Sequence, residues 1–350
     1  MSKLSLFHRR ILQACLIAGT LSSCNPTSSP SDTTSNSPAT NASTQNNPAM
    51  SQKPLVVATT SVICDLTKKI AQDTIDLKCL VGAGADPHVY QPTPADRQAI
   101  DQAKLILYAG YDFEPSIIKL IKASQNPAPK IAVHELAVPQ PLKGEHDHEH
   151  VEKKSADSKG EKHTEEIDPH VWHNAQNGVK MVQVIQSGLA SVVATESDNY
   201  GKNAQALTTQ INQTDAWIKS QINTIPDKSR KLVTTHDALG YYADAYKIPV
   251  EGALQGLSTE EKPTPVGIKK LVDEVKKTSV PTVFGEVVAS SKILEQVAKE
   301  AKVKVSSKPL FADGLGEPGS GGETYQKMLV ANTQALVEGL GGKFQPFVAK

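Results

Sequence analysis

The sequence predicts an α/β protein made of two similar lobes with mainly parallel sheets, joined by one long helix. Three observations lead to this expectation. Short apolar runs alternate with helix-like segments from Lys53 onward. A second strand-to-helix unit opens after Lys231 with Leu232-Val233-Thr234-Thr235, similar to the first unit, Val56-Val57-Ala58-Thr59-Thr60. Between them, residues 199–225 carry Leu207, Ile211, Ile218 and Ile222 at helical spacing, with no proline until Pro226. A helix of about 25 residues there would be about 38 Å long, enough to run along both lobes and keep their relative motion small. The 350 residues suit two domains, and 39% hydrophobic content suffices for a core. Lys and Arg total 37, as do Asp and Glu, so no nucleic-acid footprint is expected.

In chain order, the first segment reads as a leader. Lys3, Arg9 and Arg10 precede an apolar stretch, 11–21, too short to span a bilayer, which is the layout of a secretory signal peptide. It ends in Leu21-Ser22-Ser23-Cys24. A small-residue cleavage site immediately before a cysteine resembles the bacterial lipobox, which implies a lipoprotein signal over residues 1–23 and acylation of Cys24. Two or more acyl chains hold a protein stably at a membrane. The rest of 24–52 is almost entirely Asn, Ser, Thr, Pro, Ala and Gln, too polar to offset chain entropy. It is expected to be a disordered, lipid-anchored tether reaching up to roughly 90 Å. The protein is therefore expected to be exported, on the outer face of the cytoplasmic membrane or in the periplasm.

The N-terminal lobe is assigned to 53–198. Leu55-Val56-Val57-Ala58 suits a buried strand, and Thr59-Thr60-Ser61 caps a helix through about Gln72. Residues 77–81 form the next strand. Thr93 as cap, Pro94 at the first helical position and Asp96 in the first turn start another helix. Strands at 105–108 and 131–133 follow. The connecting helix occupies 199–226 and the C-terminal lobe 227–350. That lobe reads as strand 232–235, helices 238–246 and 268–277, strand 282–284, helix 292–301, strand 303–305 and a last helix at 324–340.

Two pentapeptides are nearly identical: Asp86-Pro87-His88-Val89-Tyr90 and Asp168-Pro169-His170-Val171-Trp172. Proline fixes φ and aspartate favours a turn, so each histidine is presented from a stiff loop beside an anchoring aromatic. A stiff presenter suits a metal ligand, because ordering costs are met during folding rather than on binding. His236 follows strand 232–235 at its carboxyl end, where ligands bind in open α/β sheets. Asp313 follows the strand and loop 303–310. Three imidazoles and one carboxylate from separated points could close a tetrahedral site between two lobes. Such a shell favours zinc, whereas a harder ion such as manganese prefers more carboxylate.

From Lys53 onward the sequence resembles the metal-specific solute-binding proteins of ABC importers, the zinc-uptake type and its manganese-binding relatives. The matching residues are Asp86-Pro87-His88 with Pro92-Thr93-Pro94, Asp168-Pro169-His170-Val171-Trp172, Leu232-Val233-Thr234-Thr235-His236-Asp237-Ala238 with Gly240-Tyr241, and Phe284-Gly285-Glu286. The resemblance implies two α/β lobes joined by a long helix, the metal site in the inter-lobe cleft, and His88, His170, His236 and Asp313 as ligands. It implies a monomer, not an enzyme, that captures Zn2+ and passes it to an ABC permease in the cytoplasmic membrane, driven by a cytoplasmic ATPase. The manganese branch typically has Glu in place of His236, so zinc is the expected cargo, with Mn2+ carried by a protein of the same class as the alternative.

Some positions depart from the family pattern. His173-Asn174 replaces an apolar residue and Asp or Ser, making His173 a spare ligand, a solvent-facing histidine or a cap-adjacent one. The Gly-rich stretch 314–322 is unusual beside the acidic ligand, and Glu317 is an alternative to Asp313. Glu286 is expected to accept an imidazole N–H behind the cleft. An exported zinc hydrolase would use some of the same histidines with Glu286 as general base. It would need an open coordination position, and neither a His-Glu-x-x-His nor a Gly-x-Ser-x-Gly motif is present. An adhesin would be a third class, but the sequence offers no adhesive repeat.

Segment 143–167 is highly charged and contains His146, His148, His150 and His163. It is expected to be a mobile loop that gathers zinc weakly and is not the transport site. With Cys15 in the leader and Cys24 acylated, Cys64 and Cys79 remain, in a compartment that permits a disulfide. Spacing alone leaves open whether they pair.

Overall fold

The computed structural model describes residues 53–144, 166–278 and 280–349. The leader, Cys24, the tether to residue 52 and the loop histidines His146, His148, His150 and His163 lie outside the described residues. The elements in chain order are β1 (Leu55–Ala58), α1 (Ser61–Ala71), β2 (Asp76–Cys79), α2 (Pro94–Gln102), β3 (Leu105–Tyr108), α3 (Pro115–Ala123), β4 (Lys130–Ala132), α4 (Val133–Ala137), α5 (Ala175–Val192) and α6 (Ser197–Ile222). They continue with β5 (Leu232–His236), α7 (Gly240–Tyr246), β6 (Val250–Gln255), α8 (Pro265–Thr278), β7 (Thr282–Val283), α9 (Lys292–Ala301), β8 (Lys304–Val305) and α10 (Tyr325–Gly339).

The first four strands form a parallel sheet in the order β2-β1-β3-β4. The C-terminal half holds two parallel pairs, β5-β6 and β7-β8, joined by a parallel bridge between Thr234 and Phe284. In both halves the strand order reverses beside the first strand, at β1/β3 and at β5/β7. Ligands bind outside the carboxyl ends of strands at such reversals.

Side chains alternate across the strands as the two-residue period requires. Val56, Ala58, Leu105, Leu107 and Leu232 belong to one central apolar cluster, which also takes in Tyr242, Phe284 and Leu336. Their neighbours turn to outer clusters: Val57 and Ile106 pack with Ile100 and Ile117, and Val233 packs with Leu271 and Val297. One continuous core thus runs through both lobes. The long helix α6 lies along it, packing against α1, α5, α7 and α10.

Several expectations are revised. The connecting helix starts at Ser197, two residues earlier than expected, and ends at Ile222, where a turn takes over before Pro226. Val133, expected in a strand, opens α4. The helix expected from Ala238 begins at Gly240. Helices α3 and α5 and strand β6 went unrecognised. α5 carries buried Met181, Val182, Ile185 and Leu189 at helical spacing, and its cap is Asn174, whose side chain accepts from the Gln176 amide. β6 is an edge strand of mostly half-buried residues, so its sequence does not alternate cleanly. The capping of α2 is as expected: Thr93 accepts from the Asp96 amide and Asp96 from the Thr93 amide.

Candidate metal centre

His88 leaves the loop that follows β2. The Asp86 carboxylate accepts from the His88 amide at 3.0 Å, a turn that stiffens the loop, and Tyr90 donates to Asp96 on α2 at 3.0 Å. The second pentapeptide repeats the device with one addition. Asp168 Oδ1 lies 2.9 Å from the His170 amide and 2.8 Å from His170 Nδ1. It therefore holds the Nδ1–H tautomer and leaves Nε2 free to ligate. Asp168 can reach this position because Gly240 faces it: a Cβ there would lie 2.6 Å from Asp168 Oδ2. Trp172 is buried beneath, with its ring centroid 5.4 Å from that of His170 and 4.8 Å from that of Phe113.

His236 ends β5, beside the strand reversal. Glu286, just beyond β7, accepts from the amides of Thr235 at 3.2 Å and His236 at 3.0 Å through Oε1, and from His236 Nδ1 through Oε2. Glu286 is thus the imidazole acceptor the sequence suggested. It turns Nε2 of His236 toward Asp313.

Four side chains from separate loops converge here. Asp313 Oδ1 lies 3.1 Å from His236 Nε2, 3.3 Å from His170 Nε2 and 3.4 Å from His88 Nε2, and the last two nitrogens are 3.4 Å apart. One donor atom from each residue lies within 4.8 Å of every other. His170 and His236 are fully buried, His88 is 4% exposed and Asp313 2%. Asp313 Oδ2 is buried with no hydrogen-bond partner among the described residues. A buried carboxylate oxygen without a donor is costly unless a cation answers it. Tetrahedral zinc with ligands at about 2.0–2.1 Å sets its donors about 3.3 Å apart, close to these separations.

The charges reinforce one another. Burial pulls the His170 pKa down, but Asp168 and Asp313 outweigh it and leave the pKa raised. Burial opposes charge on His236 too, yet Asp313 and Glu286 hold its pKa well above the usual value. Burial pushes Asp313 up, while His236, His170 and His88 bring it well below the carboxylate range. The cluster is a negative oxygen ringed by nitrogens, an arrangement able to exchange imidazole protons for a divalent ion.

Two of the alternatives fall away on geometry. Glu317 is exposed and outside the cluster. His173 adjoins the α5 cap Asn174 but is neither solvent-facing nor a member of the cluster: it is fully buried, and its Nε2–H donates to the Ala312 carbonyl at 2.8 Å. The glycines after Asp313 have a packing reason, since a Cβ at Gly316 or Gly322 would come within 2.3 or 2.5 Å of the Phe311 ring. Cys64 and Cys79 form a disulfide between α1 and β2, with Cα atoms 5.8 Å apart. Sequence reasoning also passed over His134 on α4, a buried imidazole 5.3 Å from the Trp172 ring centroid; its only sequence signal is a histidine within a short apolar run.

Residues 56–339 match the family described as zinc-uptake complex component A periplasmic. The chain is 33% identical to the metal ABC transporter substrate-binding lipoprotein SsaB of Streptococcus sanguinis over 296 residues, covering 83% of this chain and 90% of that one. It is 32% identical to the manganese ABC transporter substrate-binding lipoprotein PsaA of Streptococcus mitis over 305 residues, covering 85% and 93%. Among solved structures, the periplasmic zinc binding protein TroA from Treponema pallidum superposes with a TM-score of 0.73 at 29% identity, covering 82% of this chain and 99% of that one. Two lobes of parallel sheet, a long helix and this extent of sequence match lead to one conclusion: the chain belongs to the family of zinc-uptake complex component A periplasmic proteins.

Proposed function

We propose that this protein is an extracytoplasmic solute-binding lipoprotein that captures Zn2+ through His88, His170, His236 and Asp313 and delivers it to an ABC permease and its ATPase. The observation that carries this reading is the buried cluster of three imidazole nitrogens around one carboxylate oxygen, with the other oxygen unpartnered among the described residues. Nitrogen-rich, four-donor shells suit zinc, and four protein donors leave no position for a catalytic water. Binding rather than hydrolysis is therefore the chemistry of the site. Similarity to substrate-binding lipoproteins supports export and anchoring at the outer face of the membrane, with Cys24 as the acylated residue.

Manganese is the second reading, favoured by relatives named for that metal. Competitive titration of the metal-stripped protein with zinc and manganese separates the two. Tight zinc preference that weakens or moves toward manganese in His236→Glu supports zinc. Equal or tighter manganese binding by the unaltered protein overturns the zinc assignment and keeps the importer role. No tight site for either ion defeats both.

A further inference from the structure

Asp86 makes a second hydrogen bond that the metal cluster does not require. Its Oδ1 accepts from the His88 amide, while its Oδ2 accepts from Thr259 Oγ1 at 2.6 Å. Thr259 belongs to the other lobe, in the loop 256–264 between β6 and α8. That loop is tied to its own strand: the Gln255 side-chain amide donates to the Thr259 carbonyl at 3.1 Å, and the Gly256 amide donates to the Glu261 carboxylate at 3.3 Å. Gln255 is in turn the register partner of His236 across β5 and β6. A continuous chain of hydrogen bonds therefore runs from the His88 loop, through Asp86 and Thr259, to the strand that carries His236.

Among the described residues, this connection lies beside a cavity that reaches the cluster, since Ser258 and Glu260 on either side of Thr259 line it. His88 lines a cavity of about 950 Å³, walled on the far side by Leu257, Ser258, Glu260 and Glu261 of the same loop. The cavity beside Asp313 measures about 10 Å³, no more than one water's space. His170 and His236 are fully buried. Of these two cavities, the one at His88 has the room to pass an ion. On the Asp313 side the lobes are joined more firmly, by the Gly84 amide to the Leu315 carbonyl at 2.9 Å and the Leu315 amide to Ser61 Oγ at 2.9 Å. Beneath, one apolar core spans both lobes.

We infer that the Asp86–Thr259 hydrogen bond is the latch on the metal's path, so that exchange proceeds by breaking it and moving loop 256–264 off His88 while the lobes stay packed. Asp86 and Thr259 are positioning residues here: neither touches the ion. The inference rests on the reading of the four-residue cluster as the metal site. Thr259 is the position to vary, because Asp86 also holds the His88 loop.

The test is zinc release from the loaded protein into a fluorescent chelator, followed by stopped flow, in the unaltered protein, Thr259→Val and Thr259→Ser. A lost hydrogen bond to a carboxylate predicts release about tenfold faster in the valine variant, while serine keeps the hydroxyl and stays within about twofold of the unaltered rate. The metal-free melting temperature should be the same in all three, because the bond lies on a partly exposed loop outside the core. Unchanged release from Thr259→Val, or equal acceleration in both variants, overturns the latch and leaves the metal site standing. An unaltered protein that takes up no zinc overturns the site, and the latch with it.

Discussion

The imidazole of His173 donates through Nε2 to the carbonyl of Ala312 at 2.8 Å, fixing the backbone one residue before Asp313. His173 also follows directly on the His170-Val171-Trp172 turn, so one short segment sets a nitrogen donor and holds the carboxylate's main chain. His173→Leu is expected to retain the fold and to weaken metal binding about 10- to 100-fold, the usual cost of losing a group that orients a ligand. His173→Gln, which can still donate, should recover part of the loss. Equal affinities for the leucine variant and the unaltered protein in a chelator competition would contradict this role.

Glu286 sets the tautomer of His236. If Gln replaces it, the carbonyl oxygen stays with the amides of Thr235 and His236, and the NH2 group then faces Nδ1. His236 must shift its proton to Nε2, the atom that faces Asp313. Affinity is expected to fall about 10- to 100-fold, with little change in the melting temperature of the metal-free protein. Calorimetric titration checks it, and an unchanged dissociation constant would count against this arrangement.

Four of the buried imidazoles form two pairs with opposite pH behaviour. Burial, with His170 nearby, brings His134 and His173 from 6.5 down to about 3. The unfolded chain takes up protons that the folded state refuses, so their contribution is full above 6.5 and is lost as pH falls below it. Burial pushes Glu114 from 4.5 up to about 7, an opposing effect of one carboxyl against two imidazoles. His170 and His236 are raised, so their stabilisation is full below 6.5 and is lost as pH climbs through their folded values. The metal-free protein is expected to be most stable near pH 6.5 and to melt lower on either side. With metal bound to neutral imidazoles the alkaline decline should vanish, and affinity should rise with pH as protons are released. Thermal melts across pH, with and without zinc, check both limbs.

The disulfide between Cys64 and Cys79 closes a sequence separation of 15 residues. Replacing both cysteines with serine is expected to lower stability by about 3 kcal/mol on the chain-entropy account. Neither residue belongs to the metal cluster, so affinity should not change. Denaturant unfolding alongside zinc titration separates the two effects.

Local chemistry made much of this protein legible in its sequence. The short apolar strands, the Thr93 cap, the long α6 helix and the two stiff histidine loops depend on neighbours a few residues apart, and each was readable from its own segment. His88 and His170 could be nominated from the repeated stiff pentapeptides, and His236 and Asp313 from the strands that precede them, and the structure brings all four together. Helix α5 stayed hidden because its cap, Asn174, was read only as a departure from a motif.

Other features depend on which distant segments meet, and no local pattern encodes that. Asp313 rather than Glu317 faces the histidines because the segment 314–322 folds tightly around Phe311. His173 turns inward because the Ala312 carbonyl, 139 positions away, needs a donor where it is buried. Cys64 and Cys79 pair because α1 packs beside β2, and Asp86 reaches Thr259, 173 positions away, because two lobes close over one core. The sequence by itself determined which side chains are presented from stiff loops and strand ends. The tertiary structure decided which of them share a buried space, because desolvated polar groups must find partners wherever packing places them.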